Sequence, residues 1–121
     1  MKTVLIVDDN EKNRKLARDV LGAAGFETLE AECAESAISL ALERLPDVVL
    51  LDLRLPDLDG TDVLRRLRAD ARSSEIPVVA MSATPLDPGD DWYVAAGFAG
   101  YLEKPVDAEA LPGLIRSHSR P

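Results

Sequence analysis

The sequence has few aromatic residues and only one cysteine. Aromatic side chains make up 4% of the 121 residues, so a hydrophobic core must be built mainly from Leu, Val, Ile and Ala. The single cysteine, Cys33, cannot form an internal disulfide, which is typical of proteins in a reducing compartment. No apolar run reaches the length of a membrane span. We therefore expect a cytoplasmic protein that does not insert into a membrane.

Positive charge is also scarce. The chain has 14 Lys and Arg residues against 22 Asp and Glu residues, a net charge of -8. A surface of this sign repels a phosphate backbone, so direct nucleic-acid binding is not expected. The length is that of one domain, which we place at residues 1–121 without an attached output domain.

Strand-like and helix-like patterns alternate five times along the chain. The first, third and fourth strand-like runs are almost wholly apolar, which predicts strands covered on both faces, whereas the second and fifth are mixed, as at the edges of a sheet. The alternation predicts an α/β fold: a flavodoxin-like, doubly wound, five-stranded parallel sheet of order 2-1-3-4-5, with five helices in three layers. The runs are Thr3 to Val7, Glu27 to Ala31, Val48 to Leu51, Pro77 to Met81 and Gly100 to Glu103.

Two of the helices carry unfavourable residues. Pro85, Pro88 and Gly89 precede the fourth helical segment, so we expect that helix to be short or to start late. Pro112 and Gly113 weaken the pattern of the last helix.

Polar residues capable of chemistry follow four of the predicted strands. Asp8 and Asp9 follow the first, Asp52 ends the third, Ser82 ends the fourth and Lys104 ends the fifth. Because the carboxyl ends of parallel strands share one edge, these side chains should converge. Alone, each has an ordinary explanation, such as a helix cap or a solvated lysine. Only their combination at one edge indicates a functional site.

Three clustered carboxylates repel one another and stay ionised only if a cation neutralises them. Oxygen ligands of this kind suit Mg²⁺. A cation beside Asp52 would offset the charge of an incoming phosphoryl group, and Lys104 and Ser82 could contact its oxygens. The sequence therefore predicts a Mg²⁺ site whose surroundings could support phosphoryl transfer.

Four segments resemble one known family, the CheY-like receiver domain of two-component response regulators. The likeness runs from Val4 to about His118 and rests on VLIVDDN at 4–10, LLDLRLPDLDG at 50–60, VVAMSA at 78–83 and GYLEKP at 100–105. The stretch from Asp9 to Arg14 is similar to single-domain cell-cycle regulators and to receivers of hybrid kinases.

The resemblance implies roles for the residues at the predicted edge. Asp52 would accept a phosphoryl group from a phosphohistidine on a sensor histidine kinase or a histidine phosphotransfer protein. Mg²⁺ would be held by Asp9, Asp52 and the backbone carbonyl of Arg54, with Asp8 acting through water. The chain would not be an enzyme beyond catalysing its own phosphorylation and dephosphorylation.

The resemblance also implies a switch. Ser82 would move to the phosphoryl group while the ring of Tyr101 turns inward. The Lys104-Pro105 peptide bond would be cis and would place the ammonium at the site. Phosphorylation would alter the surface of the fourth helix, fifth strand and fifth helix, which would contact a downstream protein target or serve a relay.

Some residues depart from the family pattern or stand outside it. Ser82 replaces the commoner threonine. Arg54 is a long cation two residues after the acceptor, and we hypothesise that it changes the lifetime of the phosphoryl group. His118, the only histidine, is expected to be exposed near the C-terminus.

Two other functions remain open on the sequence. A Mg²⁺-dependent phosphohydrolase with an aspartyl nucleophile would usually carry an Asp-x-Asp pair after the first strand, and the segment Asp8 to Asn10 does not supply it. A receiver-like interaction module that is never phosphorylated would not need the intact set of polar residues.

Overall fold

Five strands alternate with five helices along residues 1–119, the part of the chain that the computed structural model describes. The strands are β1 Thr3–Val7, β2 Glu27–Ala31, β3 Val48–Asp52, β4 Val78–Ser82 and β5 Gly100–Glu103. The helices are α1 Glu11–Ala23, α2 Ala34–Arg44, α3 Gly60–Ala69, α4 Trp92–Ala96 and α5 Leu111–His118.

The strands form one parallel sheet in the order β2-β1-β3-β4-β5, which confirms the predicted fold class. Every residue of β3 and β4 is buried, whereas β2 and β5 at the edges are partly exposed. This division follows the apolar and mixed sequence patterns. No helix within residues 1–119 is long and apolar enough to cross a membrane.

The sheet separates two hydrophobic cores because alternate residues of each strand point to opposite faces. Leu5 and Val7 of β1 pack with α2 and α3, while Val4 and Ile6 pack with α1 and α5. Burying each such side chain contributes about 1.5–3 kcal/mol. The result is the predicted three-layer arrangement, which holds the carboxyl ends of the strands at one edge.

Local residues explain where the helices begin. The side chain of Asn10 accepts a hydrogen bond from the Asn13 amide and caps α1. The helix α4 has only five residues, as its proline-rich approach predicts. Pro112 lies in the first turn of α5, where a missing N–H costs little, so α5 forms despite it.

The start of α2 is capped from another part of the chain. Cys33, its N-cap residue, makes no capping hydrogen bond through its side chain. Instead, the Asp57 carboxylate accepts hydrogen bonds from the amides of Ala34 at 2.8 Å and Glu35 at 3.0 Å. These bonds lower the pKa of Asp57. They tie the loop after β3 to α2 and so restrain the segment that follows Asp52.

The expectation that His118 is exposed is wrong. The residue is partly buried, and a Cβ added at Gly100 would lie 2.8 Å from its Nε2 atom. The imidazole therefore lies against the start of β5, because His118 is the last residue of α5, which packs on the sheet through Leu111 and Ile115. It lies outside the cleft formed by the predicted site residues.

The Asp57 cap predicts a pH-dependent contribution to stability. A carboxyl group whose pKa is lower in the folded state stabilises that state above its unfolded pKa, and the contribution is lost as pH falls through the folded pKa. We expect Asp57→Asn to lower the melting temperature at neutral pH. The difference from wild type should shrink as pH falls below the ordinary aspartate value of 3.8.

The control is Glu75→Gln, which removes an exposed carboxylate from a turn. Thermal unfolding of the three proteins at several pH values measures the effect. A melting temperature of Asp57→Asn equal to that of the control at every pH would contradict the cap.

Candidate functional site

The predicted polar residues converge at the carboxyl edge of the sheet. Asp8 and Asp9 follow β1, Asp52 ends β3, Ser82 ends β4 and Lys104 follows β5. All five line one cleft of about 300 Å³, together with Arg54. The sheet order thus joins residues that lie up to 96 positions apart in sequence.

The Lys104 ammonium connects two carboxylates in this cleft. Its Nζ atom donates to Oδ2 of Asp8 at 2.8 Å and to Oδ2 of Asp52 at 2.9 Å. Asp8 is 1% exposed and Asp52 is 5% exposed. Buried carboxylates need such pairing, because removing an unpaired charge from water is costly. The backbone helps to place the lysine, since its amide donates to the Ser82 carbonyl at 2.8 Å.

Burial and pairing act in opposite directions on these groups. Burial raises the pKa of Asp52, although hydrogen bonds from the Arg54 amide and from Lys104 oppose the shift. Burial alone would lower the pKa of Lys104, but its hydrogen bonds to Asp8 and Asp52 outweigh that effect and raise it. The lysine is therefore a firmly protonated donor, while Asp52 gains from any further cation that stabilises its ionised form.

Asp9 completes a group of three acidic residues. Asp8, Asp9 and Asp52 each offer an oxygen atom, and these atoms all lie within 4.8 Å of one another. Asp9 is exposed, so the cluster opens to solvent. A donor set made only of oxygen atoms fits a hard divalent cation such as Mg²⁺, which keeps part of its water shell.

The backbone after Asp52 is also closely packed. The Arg54 amide donates to Oδ1 of Asp52 at 3.0 Å. A Cβ on Gly60 would lie 2.8 Å from Cα of Leu53 and 3.0 Å from the Asp52 carbonyl oxygen. Only glycine therefore lets the start of α3 approach the end of β3 this closely.

A family model described as the response regulator receiver domain matches residues 4–116. This chain belongs to that family. Receiver domains accept phosphoryl groups in two-component signalling and interact with histidine kinases and downstream targets.

Two kinds of relative share nearly the whole chain. The polar-differentiation response regulators DivK of Brucella ovis and Brucella anthropi are each 35% identical over 117 residues, which cover 97% of this chain and 95% of the relative. The chemotaxis response regulator CheY4 of Vibrio cholerae is 25% identical, with a TM-score of 0.89 and coverage of 97% and 98% of the two chains. A putative response regulator from Chloroflexus aurantiacus is 28% identical, with a TM-score of 0.87 and coverage of 96% and 95%.

These findings confirm the CheY-like receiver fold and the phosphoryl-accepting signalling role predicted from the sequence. They do not favour a phosphohydrolase, because the matching family is a signalling family rather than a family of metabolic enzymes. The roles of individual residues rest on the geometry of this receiver.

Side chains of the fourth and fifth strands both form hydrogen bonds with Thr84, outside the acidic cluster. The Ser82 hydroxyl accepts a hydrogen bond from the Thr84 amide at 3.1 Å, and the Tyr101 hydroxyl donates to the Thr84 carbonyl. The Tyr101 ring also packs against Trp92 and Tyr93 of α4. Ser82 and Tyr101 therefore bind the amide and the carbonyl of the same residue.

Sequence reasoning missed Thr84 and Trp92 as parts of this arrangement, and it also missed Asp57 as the cap of α2. Thr84 contributes through its backbone, so its side-chain identity gives no signal. Trp92 is the only tryptophan in the chain, and its position beside the proline-rich segment was a usable signal. The Lys104-Pro105 peptide bond is cis in the structure.

Proposed function

We propose that Asp52 accepts a phosphoryl group from a phosphohistidine on a sensor histidine kinase or a histidine phosphotransfer protein, with Mg²⁺ bound nearby. One observation carries the assignment. Among the described residues, only the Asp52 carboxylate combines three properties. It contacts Lys104, it belongs to the acidic cluster, and it lies at the end of a central strand. Asp8 shares the first two properties but lies in the turn after β1.

The chain's own oxygen atoms fit the cation. Asp9, Asp52 and the Arg54 carbonyl would hold Mg²⁺ directly, with Asp8 acting through a bound water. When bound, the ion supplies positive charge that offsets the carboxylates and the incoming phosphoryl oxygens.

Asp52 and Lys104 have different roles in the phosphoryl transfer. An oxygen of Asp52 attacks phosphorus, a phosphorus–oxygen bond forms, and the phosphorus–nitrogen bond to the donor imidazole breaks with its electron pair on nitrogen. The Lys104 ammonium, already beside Asp52, donates to a phosphoryl oxygen as negative charge builds there. The burial of Asp52 limits access of water to the acyl phosphate that results.

The contacts at Thr84 support a switch. In the proposal, the Ser82 hydroxyl turns to a phosphoryl oxygen and releases the Thr84 amide, and Tyr101 releases the Thr84 carbonyl and turns inward. The β4–α4 loop then rearranges, which changes the surface of α4, β5 and α5 for a downstream protein target or for relay. The only reactions of the chain are its own phosphorylation and dephosphorylation.

Residues 1–121 form one receiver domain in this proposal. The DivK relatives are named for polar differentiation and match nearly their full length, which supports a regulator of the cell-cycle type.

Incubation with acetyl phosphate and Mg²⁺, followed by intact mass measurement, tests the acceptor. Wild type should gain one phosphoryl group because Asp52 is the nucleophile, and Asp52→Asn should gain none. Asp57→Asn, which removes a carboxylate outside the cleft, should still be labelled. Equal labelling of wild type and Asp52→Asn would show that another residue is the acceptor.

We further propose that Arg54 prolongs the phosphorylated state. Its side chain is exposed and lines the cleft that contains Asp52. A guanidinium at the rim can pair with a phosphoryl oxygen and slow the approach of water. An ion pair this exposed stabilises the phosphorylated state by about 0.2–1 kcal/mol. Loss of that stabilisation in Arg54→Ala should shorten the phosphoryl half-life about 1.5- to 5-fold.

The half-life is measured by intact mass after acetyl phosphate is removed. Arg65→Ala is the matched control, since Arg65 is exposed on α3 and pairs with Asp62 outside the cleft. A half-life that is the same in Arg54→Ala and in wild type would reject the role of Arg54.

A further inference from the structure

Arg14 contacts the turn that carries two of the acidic residues. We propose that Arg14 is a positioning residue that fixes the direction of Asp9 and thereby the affinity of the site for a divalent cation. The proposal rests on the proposed function only in taking Asp9 as a cation ligand.

The Asp8 residue is held at every polar atom. Its amide donates to the Ala31 carbonyl at 3.1 Å. Its carboxylate accepts from the Asn10 amide at 2.9 Å and from Lys104 at 2.8 Å. Its carbonyl accepts from Nη1 of Arg14 at 2.7 Å. The last bond is the only one of these that fixes the peptide group between Asp8 and Asp9.

Asp9 depends on that peptide group. Its side chain is exposed, and no residue between 1 and 119 forms a hydrogen bond or an ion pair with its carboxylate. The backbone therefore fixes the direction of the Cα–Cβ bond of Asp9, from which its carboxylate reaches the cluster through a small set of rotamers. A rotation of the Asp8–Asp9 peptide plane would move the Asp9 oxygens relative to Asp52, so the bond from Arg14 helps to keep the acidic cluster together.

The guanidinium itself is held in place. The Arg14 side chain is 13% exposed, and its Nε atom lies 3.4 Å from Oε1 of Glu30 on β2. The two contacts use different nitrogen atoms of one planar group, which a lysine ammonium cannot reproduce. Arg14 thus joins α1, β2 and the turn after β1.

Arg18 provides a matched comparison. It also pairs with Glu30, through Nη1 and Oε2 at 2.8 Å, but within residues 1–119 it forms no hydrogen bond or ion pair with Asp8 or Asp9. If Arg14 served only to attach α1 to β2, loss of Arg14 and loss of Arg18 would have the same effect on cation binding. If Arg14 positions Asp9, only its loss should weaken cation binding.

Calorimetric titration of the whole chain with Mg²⁺ tests the proposal. Residues that orient metal ligands typically change metal affinity 10- to 100-fold when removed, so Arg14→Ala should raise the Mg²⁺ dissociation constant about 10-fold. Arg18→Ala should stay within about 2-fold of wild type. Arg14→Lys keeps the positive charge but lacks the planar guanidinium with its several nitrogen donors, so it should also weaken Mg²⁺ binding. This variant replaces Arg14→Ala if Arg14→Ala does not fold.

Labelling by acetyl phosphate gives a second readout. Because the proposed defect lies in cation affinity, the labelling rate of the Arg14 variant should fall at low Mg²⁺ and recover at saturating Mg²⁺. Unchanged Mg²⁺ affinity in a folded Arg14 variant would overturn the proposal, as would an equal loss in Arg18→Ala. Failure of the proposed function itself would be seen separately, as absence of labelling in wild type.

Discussion

The shared hydrogen bonds of the Lys104 ammonium with Asp8 and Asp52 are the interaction on which the rest of the site depends. Two nearly buried carboxylates at adjacent strand ends would repel each other without a cation between them. The lysine directly follows the last strand and Asp8 directly follows the first, 96 positions apart. The site therefore exists only when the whole sheet has assembled in its observed order.

In the proposed switch, the same arrangement lets the site change state. Lys104 is a point charge on a flexible stem, so it can follow negative charge from Asp8 to a group attached to Asp52. Ser82 and Tyr101 both hold Thr84, and the Tyr101 ring contacts Trp92 and Tyr93. A change at the buried end of β4 thus has a continuous path of contacts to exposed side chains of α4.

Much of the fold and of the cluster could be predicted from the sequence. Apolar runs such as Val48 to Leu51 identify central strands, and the mixed run Glu27 to Ala31 identifies an edge. Once the parallel order is inferred, the convergence of Asp8, Asp52 and Lys104 follows from their places at strand ends.

The missing parts share a physical reason. The side chains of Asp57 and Arg14 form hydrogen bonds with the backbone of another segment. Such hydrogen bonds leave no periodic pattern in the sequence. His118 was misjudged because proximity to the C-terminus suggested exposure, whereas α5 carries it onto the start of β5.

The most direct measurement is a crystal structure of the protein with Mg²⁺ and beryllofluoride, a mimic of the phosphoryl group. The account predicts beryllium attached to a carboxylate oxygen of Asp52, the ion in contact with Asp9 and Asp52, and Lys104 Nζ in contact with a fluoride. An adduct on a different residue, or an ion bound away from Asp9 and Asp52, would contradict it.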